Sequence, residues 1–151
     1  MARPTRVYVA VCGQSEPDPA HESAALEVGR RLAEAGALIV CGGSGAVNEA
    51  ASKGAAEAGG TVVALLPGED RRVAHEDVIA IATGLGQGRN LLIVTAADVV
   101  IAIGGGWGTL SEIGLARRLG KRVIALNTWP VDGLEVAATP AEAVERALGV
   151  R

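Results

Sequence analysis

The chain has 151 residues, 49% hydrophobic and 21% charged, which fits one ordinary globular domain able to bury its own core. A formal net charge of −3 argues against a dedicated nucleic-acid binder, and no apolar stretch approaches the ~20 residues of a membrane span. Two cysteines, with no export signal after the arginines of Met1–Arg6, lead to the expectation of a cytoplasmic protein in a reducing compartment.

In chain order, Val7–Val11 reads as a strand bounded by Gly13, and Gln14–Ala20, with Pro17 and Pro19, as a loop. A helix is expected over Glu22–Ala35, ended by Gly36, and a second strand over Ala37–Cys41. Gly42-Gly43-Ser44-Gly45 opens the next helix, which runs to Ala58 before Gly59-Gly60. Thr61–Leu66 is the third strand, Glu69–Glu76 a loop, Asp77–Ala82 a short fourth strand and Gln87–Thr95 a helix. Asp98–Ile103 is almost continuously apolar, as a central parallel strand covered on both faces should be. After the glycine run come a helix over Thr109–Leu119, a sixth strand over Arg122–Leu126 and a last helix opened by Thr139-Pro140. Strands alternating with helices predict an α/β protein with a Rossmann-like, doubly wound parallel sheet, forming a single domain over 1–151.

In such sheets ligands lie beyond the carboxyl ends of the strands, which directs attention to Gly13-Gln14-Ser15, Gly42–Gly45, Pro67–Asp70 and Gly104–Thr109. Two of these segments are glycine-rich and run into helices, where close backbone approach and unpaired amides favour an anion, phosphate above all. Gly43-x-Gly45 has Asn48 where the dinucleotide fingerprint has its third glycine, and neither loop has the Lys-Ser/Thr of a Walker motif. A nicotinamide dehydrogenase and a Walker-type NTPase are therefore disfavoured.

Gly104-Gly105-Gly106-Trp107-Gly108-Thr109-Leu110-Ser111-Glu112 places a hydroxyl and a carboxylate one helical turn apart. Thr-x-x-Glu is also the capping-box pattern, and it recurs at Thr139-Pro140-Ala141-Glu142 without any glycine approach. The second copy reads as structural; for the first, spacing leaves a cap and a functional carboxylate both open.

Gly105 to Glu112 resembles the glycine–glycine–x–glycine–threonine–x–x–glutamate motif of the LOG ("Lonely Guy") family within the SLOG superfamily, whose relatives were long labelled lysine decarboxylases. The likeness includes Gly88-Arg89-Asn90, at the spacing of the family's catalytic arginine, and Gly42-Gly43 with Asn48, and it runs from about Val7 to Leu126. LOG enzymes cut cytokinin riboside monophosphates. They usually carry Pro at the position of Gly104 and Lys at that of Asn90; Gly-Arg-Asn resembles instead the sister branch of molybdenum-cofactor carrier proteins, which bind a pterin phosphate.

The resemblance implies that Gly105, Gly106, Gly108 and Thr109 hold a phosphate, with Gly13, Gly42, Gly43 and Asn48 opposite. Arg89 would steady the phosphate or base, and Asn90 would donate to the same ligand. Apart from the resemblance, the place of Trp107 inside the glycine loop would let it stack on a base or pterin or pack on a partner subunit. If the protein is a phosphoribohydrolase, Arg89 and Glu112 are its catalytic residues, with Glu112 near the sugar C1′. If it is a carrier, both serve in positioning. A nucleotide-sensing interaction module is the third class. The implied ligand is a nucleoside monophosphate or a molybdopterin-type phosphate, with no cofactor required, no nucleic acid or membrane partner, and assembly as a homodimer or homotetramer through the face carrying Arg117 and Arg118.

Cys12 and Cys41 end the first two strands and are expected to be small buried residues rather than a redox or metal pair. His21 and His75 are expected to be solvated, His21 within reach of the site's edge. The basic doublets Arg30-Arg31, Arg71-Arg72, Arg117-Arg118 and Lys121-Arg122 read as solvated faces.

Overall fold

The Val- and Ile-rich runs pair into one sheet, and the Ala-rich segments between them cover both its faces, in a computed structural model that describes residues 6–149. The chain runs β1 (Tyr8–Gly13), α1 (Pro19–Glu34), β2 (Leu38–Cys41), α2 (Ala46–Glu57), β3 (Thr61–Leu66), β4 (Ile79–Ala82), α3 (Arg89–Ala96), β5 (Val99–Ile103), α4 (Trp107–Arg118), β6 (Arg122–Leu126), β7 (Glu135–Val136) and α5 (Pro140–Ala147). The seven strands lie in the order β4-β3-β2-β1-β5-β6-β7 and every neighbouring pair is parallel. The chain steps outward from β1 to β4, then crosses back to lay β5 on the other side of β1. The strand order therefore reverses between β1 and β5, where a crevice opens at the carboxyl ends.

Register decides which residues meet which helices. Val9, Val11, Ile39 and Ile101 pack with α1, α2 and α5, whereas Ala10, Cys12, Val40 and Val100 pack with α3 and α4. All five residues of β5 are buried, as its apolar run predicted. Cys12 and Cys41 fall in these separate clusters, on opposite faces of the sheet. Both are free and buried, and burial pushes both thiols up, so they form neither a disulfide nor a shared metal site.

Several boundaries differ from the sequence expectation. β1 extends to Gly13 rather than ending at Val11. α1 begins at Pro19, inside the expected loop, because Asp18 caps it: the Asp18 carboxylate accepts from the Ala20 and His21 amides, while Glu22 accepts from the Asp18 amide. A 3₁₀ turn at Arg71–Val73 interrupts the loop over 69–76, and another at Gly86–Gly88 precedes α3. β4 begins at Ile79, two residues later than expected. α4 begins at Trp107, not Thr109, with consequences for the site. β7 was not anticipated: two residues carry little pattern, and an Arg122–Glu135 ion pair at 2.7 Å joins it to β6. The start of the basic segment, residues 1–5, and residues 150–151 lie outside the described residues.

The Arg30-Arg31 doublet is matched by carboxylates of its own helix, Glu27 and Glu34, and Arg72 by Asp70. No helix among the described residues is long and apolar enough to cross a membrane.

Candidate functional site

The crevice between β1 and β5 is a cavity of about 780 Å³ walled by residues following β1, β2, β3 and β5 and by the starts of α3 and α4. Its shape follows from the glycine run after β5. Gly104 has φ +74° and Gly106 φ +120°, values that L side chains rarely adopt. A Cβ at Gly104 would also lie 2.8 Å from His21 Nδ1. These two residues swing the chain out of the sheet and make Gly106 the residue that precedes α4. No side chain among the described residues caps that helix, so its first amides, from Trp107, Gly108 and Thr109, have neither a capping side chain nor an intrahelical partner there. All three residues line the cavity, which gives its floor the positive end of a helix dipole.

The other glycine loop behaves differently. At the start of α2, the Ala46 amide donates to Ser15 O at 3.1 Å and the Val47 amide to Gln14 O at 3.2 Å. Those donors are consumed in fixing the loop after β1, so the two glycine-rich segments are not equivalent anion cradles. Gly42 lines the cavity and leaves room for Arg89: a Cβ there would lie 3.0 Å from Nη2. Gly13 also lines it, wedged where a Cβ would meet Ile103 O at 2.3 Å. Gly43 faces away from it, into β3, where a Cβ would meet Leu66 at 2.5 Å. Gly105 is likewise outside the wall, its carbonyl accepting from the Thr109 hydroxyl at 3.4 Å.

Arg89, the first residue of α3, is 9% exposed, and its Nε has no hydrogen-bond partner among the described residues. One guanidinium nitrogen donates to Asn90 Oδ1; Asn90 Nδ2 donates to Ser111 Oγ at 3.2 Å; the Ser111 hydroxyl donates to Gly108 O at 2.8 Å. This chain of bonds ties the guanidinium to the glycine loop. It also engages both ends of the Asn90 amide inside the protein, so Asn90 holds Arg89 in place. Asn48 Nδ2 donates to Ser44 O at 2.8 Å, leaving its buried Oδ1 unpartnered beside the same cavity.

Glu112 lies in the second turn of α4 and lines the cavity. Burial pushes its carboxyl up to about 7, against the opposing pull of the Arg89 charge. An acid with that pKa can hold or release a proton near neutrality. It caps nothing: the residue before α4 is Gly106, three positions upstream of Thr109. The capping reading therefore fails at Thr109–Glu112.

Trp107 is 77% exposed at the cavity mouth. Trp129 packs its ring beside it, centroids 5.2 Å apart, and donates its Nε1–H to Gly106 O at 2.9 Å. His21 is not a wall residue; its Nδ1 is buried under Gly104, 3.6 Å from Asp18 Oδ2. His75 accepts the Asp77 amide at 3.2 Å away from this cavity. Ser111, Gln87 and Glu16 were not singled out from the sequence. Ser111 lies inside the quoted motif, but its role depends on α3 packing against α4, which no local pattern encodes. Among the described residues no group of three or more His, Cys, Asp or Glu is placed to hold a metal ion.

A parallel sheet with its switch point between β1 and β5, and a glycine run feeding a helix that bears a half-buried carboxyl, is a Rossmann-like architecture. The chain belongs to the SLOG cluster4 family, whose model matches residues 6–148. An uncharacterized protein from Archaeoglobus fulgidus is 43% identical over 139 residues, covering 91% of this chain and 92% of that one. Among solved structures, the molybdenum cofactor binding protein of the phototrophic bacterium Rippkaea orientalis is 32% identical with a TM-score of 0.92, over 98% of this chain and 99% of that one. The molybdenum cofactor carrier protein of Chlamydomonas reinhardtii is also 32% identical, with a TM-score of 0.85, over 96% and 98% of the two chains.

Proposed function

We propose that this protein binds a phosphate-bearing small molecule, a nucleotide or a molybdopterin-type pterin, in the β1/β5 cavity and carries it without breaking it, with no further cofactor. The observation that carries this reading is the pairing of the uncapped amides of Trp107, Gly108 and Thr109 with a buried guanidinium whose Nε lacks a partner. A phosphate would satisfy both kinds of donor at once. The pterin is supported by the two solved relatives, which bind or carry the molybdenum cofactor. The backbone of Gly104 points the same way: the resemblance gives LOG enzymes a proline there, and φ +74° is closed to proline.

One observation favours a second reading. Glu112, with its carboxyl raised to about 7 in the same cavity, is suited to general acid–base work on an N-glycosidic bond, as a phosphoribohydrolase needs. Incubation with a panel of nucleoside 5′-monophosphates, with freed base followed by chromatography, separates the two. The carrier reading expects binding by calorimetry and no free base. Base release by the wild type, lost in Glu112→Gln, would replace it with the hydrolase.

We also propose self-association. Ile79 and Ile81 of β4 are exposed, and they are in register with Val63 and Leu65 on the α3 side of the sheet, where Leu91 and Leu92 are exposed as well. The face expected from the sequence is less suited: Ala116 is turned into the core and Arg117 donates to Lys121 O. Light scattering of Ile79→Lys/Ile81→Lys, expected monomeric against a dimeric or tetrameric wild type, tests this.

A further inference from the structure

We infer that Trp107, backed by Trp129, is a stacking platform that selects ligands carrying a planar fused-ring heterocycle over phosphorylated sugars without one; the inference rests on the phosphate-binding reading above.

The composition makes the pair conspicuous. The chain has two tryptophans, one tyrosine and no phenylalanine, and its core is aliphatic. Both tryptophans meet at the mouth of one cavity, their rings tilted by 34°. They do not meet through burial: Trp107 is 77% exposed, so a large apolar ring is left in water where it gains little from the core.

Its position is nevertheless built. Asn127 takes φ +54° directly after β6, a conformation Asn tolerates better than most residues, and so turns the chain back toward the glycine loop. Trp129 then packs on the α3/α4 side of the core and bonds to Gly106 O. That carbonyl also accepts the Leu110 amide, so Trp129 is anchored to the residue that precedes α4. Trp107 is the next residue along, and its ring leans on Trp129 while still forming part of the cavity wall.

A ring supported on one side and open on the other offers a π-face to any flat heterocycle, whatever its hydrogen-bonding edge. The uncapped amides begin at the same residue. Phosphate at the helix start and ring on the indole would thus be recognised together, with the sugar or pyran between them.

The test compares GMP with ribose 5-phosphate by calorimetry on the full chain, in wild type, Trp107→Ala and Trp129→Phe. The inference expects GMP to bind more tightly than ribose 5-phosphate. It expects Trp107→Ala to weaken GMP roughly tenfold or more while sparing ribose 5-phosphate. Trp129→Phe, which keeps a ring but loses the bond to Gly106, should fall between. Equal binding of the two probes by the wild type would overturn the platform and leave the phosphate reading standing. So would unchanged GMP affinity in Trp107→Ala; a simultaneous loss of oligomer in that variant would assign the ring to contact between copies. Failure of both probes to bind would overturn the platform as a selector of fused rings in general and confine the phosphate-binding reading to the pterin. Trp107 is exposed, so its variant is expected to fold, and circular dichroism verifies this.

Discussion

The two Thr-x-x-Glu segments are identical as patterns and opposite as structures. At α5, Thr139 is the N-cap: its hydroxyl accepts the Glu142 amide at 3.1 Å, and Glu142 accepts the Ala138 amide at 2.9 Å and pairs with Arg146. At α4, Gly104 and Gly106 shift the helix start upstream, so Thr109 is already inside the helix and Glu112 a full turn further on. Displaced from the cap, Glu112 is carried into the cavity. The contrast appears in the proton affinities as well. Backbone and Arg146 hydrogen bonds hold the Glu142 carboxyl below its ordinary range, whereas burial raises that of Glu112. A motif's chemistry here depends on its offset from the helix start, which the preceding glycines set.

The largest expected effect is at Glu112. A carboxyl raised from 4.5 to about 7 binds its proton more tightly folded than unfolded, so stability falls as pH rises between those values and levels off above. Ionisation near pH 8 should cost about 3 kcal/mol, each pKa unit being about 1.4 kcal/mol. Glu112→Gln should therefore be more stable than wild type at pH 8, with the gap closing toward pH 4.5, in urea titrations across that range. A gap independent of pH would mean that the fold leaves the Glu112 carboxyl unperturbed, and a gap of the opposite slope would place it in a cap-like environment after all.

Gly104→Ala comes next. The forced positive φ, with His21 Nδ1 2.8 Å from the new Cβ, should cost about 1–3 kcal/mol by thermal unfolding and weaken ligand binding together. Thr139→Ala should cost about 1 kcal/mol, recovered in Thr139→Asn, and leave ligand binding unchanged. The smallest expected effect is at Glu142, where the slope reverses. A lowered carboxyl contributes stability that is present above the ordinary carboxylate range and lost as pH falls through its folded pKa. Glu142→Gln should be less stable than wild type at pH 7 and converge with it in acid. If both glutamine variants shifted stability in the same direction at pH 8, the comparison would collapse.

Much of this was legible in the sequence. Six of the seven strands, the alternation that makes them parallel, and the position of the crevice beyond their carboxyl ends follow from apolar runs and glycine punctuation. What was not legible depended on pairing between distant segments. Cys12 and Cys41 end adjacent strands, yet register puts them on opposite faces. The Gly42–Gly45 loop looks as apt for an anion as the one after β5, until Gln14 and Ser15 occupy its amides. Pro19, at the end of a proline-containing loop, belongs to α1 because Asp18 precedes it, a local signal outweighed in the sequence reading by the nearby Pro17.

The bonds from Arg89 through Asn90 and Ser111 to Gly108 have a consequence for affinity. They join α3 to the start of α4 through side chains already hydrogen-bonded to one another, so the guanidinium and the loop are tied together before anything enters. A ligand would freeze few rotamers on arrival, and the entropy that usually opposes association would come mainly from the ligand itself. Asn90 would then influence affinity through its hold on Arg89, besides any contact of its own from the cavity wall.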